Sequence, residues 1–390
     1  MIFDCPACAN ALLYNPTLGK MECLCCGNLY DPKIFDDKNE TQELKRKELS
    51  LDEDMVEYNI YSCTACGAEI AVNGVESSTF CSYCGQPTIV FSRVSASKKP
   101  KYIIPFEVTK EQAVDSIRKR LSEGFFVPKE IRNFEIERVR GIYIPYWLYD
   151  IDYSDRQYLS GEVKSGKNTV TKYFFREAEC SLHNLTLDAS RQLNDESSQR
   201  LEPYNTFGLK EFDIGYLSGF YADCYDMDTD QLDELAVSRT KDLFDKEVEK
   251  TIRASSIKIL KNDPEYHITN TEYALFPAWF LTFRYDNTPY TILVNGQSRK
   301  VVGAVPFDKP KVSLCFWLLG ILSSLITTGI TYGLLLSESD EKGKIVMMLI
   351  FMAIFMFAVG LQKFSDIRNS IGLSKSSATN HYVKNRQEDH

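Results

Sequence analysis

The chain has 390 residues, of which 44% are hydrophobic and 25% charged, with a formal net charge of −9. That length accommodates two or three domains, and the composition excludes a disordered or low-complexity chain. Twelve cysteines would suit a secreted disulfide protein, but Met1-Ile-Phe-Asp-Cys-Pro6 lacks a signal-peptide pattern, so reduced, metal-holding thiolates in a cytosolic compartment are expected.

Two copies of one cysteine grid occupy the first quarter of the chain. Cys5-Pro-Ala-Cys8 is followed by fourteen residues and then Cys23-Leu-Cys-Cys26. Cys63-Thr-Ala-Cys66 is followed by fourteen residues and then Cys81-Ser-Tyr-Cys84. Two residues between thiolates let both sulfurs of a knuckle face one point, and two knuckles supply the four ligands of tetrahedral Zn²⁺. The grid predicts zinc ribbons at 1–32 and 61–92, each a short β-hairpin with a knuckle at each base. Two structural Zn²⁺ ions are expected, one on Cys5, Cys8, Cys23 and Cys26, the other on Cys63, Cys66, Cys81 and Cys84. Gly27, Gly67 and Gly85 directly follow knuckle cysteines, where a tight turn often needs positive φ. Redox dithiols are the rival reading of CxxC, but they do not need matched sets. Cys25 stands beside the first grid as an alternative ligand. Cys180, Cys224 and Cys315 have no metal spacing and read as small apolar residues.

Residues 33–60 form a charged segment, read as a partly helical linker. Residues 1–92 hold fourteen Asp or Glu and six Lys or Arg, a net −8. The second ribbon has no Lys or Arg between 61 and 90. Phosphate binding needs cations in the interface, so protein, not nucleic acid, is the expected target. The cluster Arg93, Lys98, Lys99 and Lys101 reads as a solvated linker.

From 100 to 310 the pattern is that of an α+β domain. Thr109-Lys-Glu-Gln112 is a capping box opening a helix to about Glu123, with Ala113, Ile117 and Leu121 on one stripe. Strands are expected at about 138–153, 273–285, 289–295 and 299–304, and a helix from about Asp228 to 255. Asn295-Gly296 closes a hairpin between the last two strands. Pro145, Trp147 and Tyr153 recur as Pro277, Trp279 and Tyr285 at identical offsets, which predicts a duplicated helix-plus-antiparallel-sheet domain. No nucleophile motif, metalloprotease motif or phosphate loop is present, so no enzyme activity and no small-molecule substrate are expected. Asp150 and Asp152 read as the solvent face of a strand, and His183 and His267 have no nucleophile partner.

Residues 312–336 contain no charge and would reach ~37 Å as a helix, enough for a ~30 Å hydrocarbon core. Residues 345–361 form a second uncharged run. A two-helix transmembrane hairpin over 312–361 is expected, followed by a polar tail at 362–390. Lys309, Lys311, Lys363, Arg368 and Lys375 flank it, against Lys342 and Lys344 in its loop. The positive-inside rule then predicts a cell-membrane protein with two spans and both termini cytoplasmic.

The segments Phe80-Cys-Ser-Tyr-Cys-Gly-Gln-Pro-Thr88, Ile103-Ile-Pro-Phe106, Gly124-Phe-Phe-Val-Pro128, Gly141-Ile-Tyr-Ile-Pro-Tyr-Trp-Leu-Tyr149, Ala274-Leu-Phe-Pro-Ala-Trp279 and Val294-Asn-Gly-Gln297 carry a resemblance over most of 60–310. The chain resembles the bacterial TFIIB-type zinc-ribbon-containing membrane proteins, which sometimes bear a primosomal-helicase label. No helicase motif supports that label here. The resemblance implies partnership with SPFH-domain and phage-shock-type proteins in envelope stress. The function expected is a non-enzymatic, membrane-anchored adaptor. The alternative is a membrane-tethered nucleic-acid-binding ribbon protein.

Overall fold

Short alternating segments near the N-terminus build a sheet of their own. The computed structural model describes residues 3–35, 55–63, 69–72, 89–122, 127–132, 139–165, 168–190, 200–285 and 288–303, with scattered positions from 308 to 332. β1 (Phe3–Asp4), β2 (Ala11–Asn15), β3 (Lys20–Cys23) and β4 (Leu29–Tyr30) form a four-stranded antiparallel sheet in chain order. In β2 the pleat buries Leu12 and Tyr14 and leaves their neighbours half-buried, the period of two that a one-sided sheet requires. The β2–β3 turn is held by Asn15, whose Oδ1 accepts from the N–H groups of Thr17 and Leu18 at 2.9 and 3.3 Å.

The remaining described strands form one sheet of twelve. They are β5 (Met55–Cys63), β6 (Glu69–Val72), β7 (Ile89–Lys98), β8 (Tyr102–Ile103), β9 (Val139–Ser165), β10 (Asn168–Asp188), β11 (Lys210–Glu211), β12 (Tyr221–Ala222), β13 (Ser255–Lys261), β14 (Pro264–Tyr285), β15 (Thr288–Asn295) and β16 (Val301–Val302). The main path runs β11-β8-β14-β9-β12-β6-β5-β7, with β10 and β13 also on β9 and β15 between β14 and β16. β9 is the spine. From Ile142 to Tyr149 both of its faces are buried, which is why that stretch reads as an unbroken apolar run. Tyr143, Trp147 and Tyr149 feed one core, and Ile142, Ile144, Tyr146 and Leu148 another.

Three α-helices are described: α1 (Lys110–Ser122), α2 (Lys129–Arg132) and α3 (Thr229–Lys250). The expected capping box opens α1: Gln112 N–H donates to Thr109 Oγ1 at 3.3 Å, and Thr109 N–H to Gln112 Oε1 at 3.2 Å. α3 buries Leu232, Ala236, Thr240, Phe244 and Val248, one residue per turn. It ends at Lys250, short of the expected 255, because the chain turns into β13.

The expected α+β class is corrected: the described fold is predominantly β. The duplicated helix-plus-sheet domain is corrected with it. The two matched motifs are not the cores of separate units but lie side by side on β9 and β14, antiparallel neighbours in one sheet, with Ile144 opposite Phe276. Matched offsets along the chain say nothing about whether two strands pair with each other. The indoles reach across that sheet to opposite helices. Trp147 Nε1 donates to the carbonyl of Met227, just before α3, and Trp279 Nε1 to that of Val108, just before α1, both at 2.9 Å.

The transmembrane hairpin is also corrected. Among the described residues no helix is long and apolar enough to cross a membrane. In 312–336 only scattered positions are described, each helical, and 345–361 and 362–390 lie outside the described residues. A span needs about 20 apolar residues in one continuous helix, and the hydropathy of a run establishes only the apolarity. The two-span cell-membrane location with cytoplasmic termini rested on those helices and falls with them. The linker reading also changes at its end, since 55–60 is strand, not helix; 36–54 lie outside the described residues.

Candidate metal centre

The N-terminal sheet exists to bring two knuckles together. Cys5 follows β1 and Cys23 ends β3, so the sheet fixes the base of both. The two knuckles share one hydrogen-bond pattern. Cys5 N–H donates to Asn10 O and Ala9 N–H to Cys5 O; likewise Cys23 N–H donates to Asn28 O and Gly27 N–H to Cys23 O. The residue after each second cysteine has positive φ, +73° at Gly27 as the sequence suggested, but +55° at Ala9, which it did not. A Cβ on Gly27 would meet nothing within 4 Å. Gly27→Ala is therefore expected to keep the centre and to cost only the left-handed backbone strain, about 1 kcal/mol, read as a lowered thermal midpoint of the metal-loaded protein.

The Sγ atoms of Cys5, Cys8, Cys23 and Cys26 all lie within 4.8 Å of one another. Cys5–Cys26 is 3.6 Å and Cys8–Cys23 is 3.5 Å. Metal–sulfur bonds of about 2.3 Å in a tetrahedron put sulfurs roughly 3.8 Å apart, so the four fit one metal ion. Cys25 is exposed and outside the cluster. Cys5 and Cys23 are buried while Cys8 and Cys26 face solvent.

Backbone N–H groups aim at the sulfurs: those of Ala7 and Cys8 at Cys5, and those of Cys26 and Cys25 at Cys23. Burial pushes the Cys5 thiol up, but hydrogen bonds from Tyr30 and those two amides outweigh it and bring it down from 9.0 to about 6. The amides of Cys26 and Cys25 lower Cys23 against its burial. At Cys8 the Asn10 N–H pulls downward, but the hydrogen bond to Cys23 and burial prevail and push it up to about 12. Two sulfurs are thus predisposed to be thiolates, the form in which a metal takes all four. Tyr30, whose hydroxyl lies 3.6 Å from Cys5 Sγ, was missed by sequence reasoning. Nothing in CxxC spacing points four residues past the last cysteine.

Of the second grid only Cys63 is described. It ends β5, buried in the core that holds Ile142, Ile144 and Tyr146; Cys66, Cys81 and Cys84 lie outside the described residues. Cys180 packs against the core under α3 and Cys224 against the central core, as small apolar residues do. The cations flagged near Arg93 are partly engaged. Lys101 Nζ meets Glu272 Oε1 at 2.5 Å, and Lys98 Nζ sits 5.4 Å over the Trp147 ring.

Asp150 and Asp152 lie on β9 beside His183 of β10, and His267 of β14 stands opposite Asp152 in register. Asp150 Oδ1 accepts from Asn184 N–H at 2.9 Å, where β10 slips register, and Thr269 Oγ1 donates to Asp150 O at 3.1 Å, where β14 does. His183 Nδ1 is 3.6 Å from Asp150 Oδ1, and Ser181 Oγ donates to Asp152 Oδ1 at 2.6 Å. These carboxylates serve neighbouring strands and bulges. Among the described residues, the four cysteines are the one group of three or more potential ligands that converges.

No family model matches the chain. It is 28% identical over 241 residues to the uncharacterized protein YdjG of Bacillus subtilis (strain 168), covering 58% of this chain and 70% of that one. No solved structure matches.

Proposed function

We propose that this protein is a non-enzymatic adaptor whose ribbons are held by two structural Zn²⁺ ions and whose targets are other proteins. The observation that carries this reading is the four-sulfur centre. Four thiolates close a tetrahedral shell and leave no position for substrate, so the ion supports folding, not catalysis. The cysteine-rich, oxygen-free ligand set favours Zn²⁺ over harder divalent ions. Leu24, at the tip of the second knuckle, is 74% exposed and supplies an apolar contact for a protein partner. Engagement of Lys98 and Lys101 within the chain argues against a nucleic-acid surface there.

The partners proposed are SPFH-domain and phage-shock-type proteins acting in envelope stress. Affinity capture of the full chain from stressed cells should recover one of these; a metal-loaded chain that recovers neither overturns the assignment. The metal reading has its own test. Elemental analysis after reducing purification should find two zinc ions per chain, and Cys66→Ser should bring this to one. A native stoichiometry below two overturns the two-site reading.

A further inference from the structure

We propose that the first ribbon is a metal-held lid over the aromatic centre of the sheet, so that occupancy of the Cys5–Cys8–Cys23–Cys26 site decides whether that centre is covered. The proposal rests on the zinc reading above. Leu12, Tyr14, Met21 and the ligands Cys5 and Cys23 belong to the same buried cluster as Phe106, Tyr143, Tyr216, Leu217 and Trp279. The ribbon is therefore not an independent module hung from the chain.

The underside of the lid is β2. Tyr14 meets Tyr216 edge-on at 5.2 Å and Phe220 at 6.5 Å. Phe220 stacks on Phe106 at 4.2 Å and lies 5.8 Å from both Tyr143 and Trp279. Two hydrogen bonds fix the register: Ser218 Oγ donates to Leu12 O at 2.6 Å, and Tyr14 N–H to Ser218 O at 3.2 Å. The backbones approach so closely that a Cβ on Gly215 would lie 3.0 Å from Pro32 O. At the rim Lys33 pairs with Glu211 at 3.8 Å, exposed enough to contribute little.

A module of roughly thirty residues cannot hold a core by its own apolar area, and four-cysteine modules of this size are unfolded without their ion. The lid is thus held by the metal and by its docking on the sheet together, and on this proposal docking alone does not keep it in place once the ion is lost. Without it, Tyr216, Leu217 and Phe220 lose the surface that shields them, whereas β12 remains paired to β9 and β6. The metal centre and the aromatic cluster are two ends of one cooperative unit. An agent that removes the ion would uncover the surface of Tyr216, Leu217 and Phe220.

Hydrogen exchange on the full chain, read with its zinc content, tests this. Cys8→Ser alters an exposed ligand and leaves the lid's underside untouched. It should lose one ion and raise exchange of the Tyr14, Ser218 and Phe220 amides at least 100-fold. Tyr14→Ala should raise exchange at Ser218 and Phe220 while keeping full metal. A Cys8→Ser chain that has lost an ion yet protects Ser218 and Phe220 as before overturns the lid. One that retains all its metal overturns the zinc reading, and the lid with it.

Discussion

Cys23→Ser should strip one metal ion from the protein and lower its thermal midpoint by 10 °C or more. Structural Zn²⁺ contributes on the order of 10–16 kcal/mol to small cysteine modules, more than such a module's net stability. Cys23 is also fully buried and shares a core with the sheet, so the loss is transmitted to Tyr216 and Phe220. A serine hydroxyl there loses the metal and places a polar group in an apolar setting. Cys25→Ser is the control. Cys25 is exposed and stands outside the cluster, so both metal content and midpoint should stay as they were. Equal effects of the two substitutions would show that the ligand set is wrong.

Trp279→Ala is expected to cost about 3–5 kcal/mol, in the range for emptying a buried aromatic site. Its ring lies 5.1 Å from Phe106 and 5.8 Å from Phe220, and its Nε1 donates to Val108 O ahead of α1. Trp279→Phe separates the two contributions. It keeps most of the ring volume and leaves the buried Val108 carbonyl without that donor, for about 1–2 kcal/mol. Trp147→Phe removes the counterpart bond to Met227 O and should cost a similar amount. Denaturant unfolding of the full chain measures all three. If Trp279→Phe matches the wild type, the indole hydrogen bond contributes nothing to anchoring α1.

The first four-cysteine cluster was legible because a group that could hold a metal ion is written in residue type and spacing, which fold context barely alters. The capping box of α1 was legible for the same reason: Thr109 and Gln112 act within one turn. The 27-residue length of β9 was not, nor was β10. Beyond Tyr153 the buried face of β9 carries the polar Asp155 and Gln157 before Leu159, its other face carries Ser154, Arg156 and Tyr158, and twelve of the 21 residues of β10 are exposed. A strand pair whose buried face includes polar residues has no continuous apolar stripe to reveal it; its pairing is secured by backbone hydrogen bonds to its neighbour. β13 went unseen because only Ile257 and Ile259 are even half-buried along it, too little apolar pattern to mark a strand. In the fold Asp155 accepts from Asp263 N–H at 2.8 Å and carries β9 from β14 to β13.

Residue type and spacing determined which four cysteines converge, and the local caps and turns, since the latter depend on atoms within a few residues of each other. Only the tertiary structure decided that the matched tryptophans share one sheet and that the ribbon is docked on their aromatic cluster. It also decided that no described helix crosses a membrane. Those outcomes depend on which apolar surfaces meet, and burial is a non-directional, area-proportional force that leaves no mark of its partner along the chain.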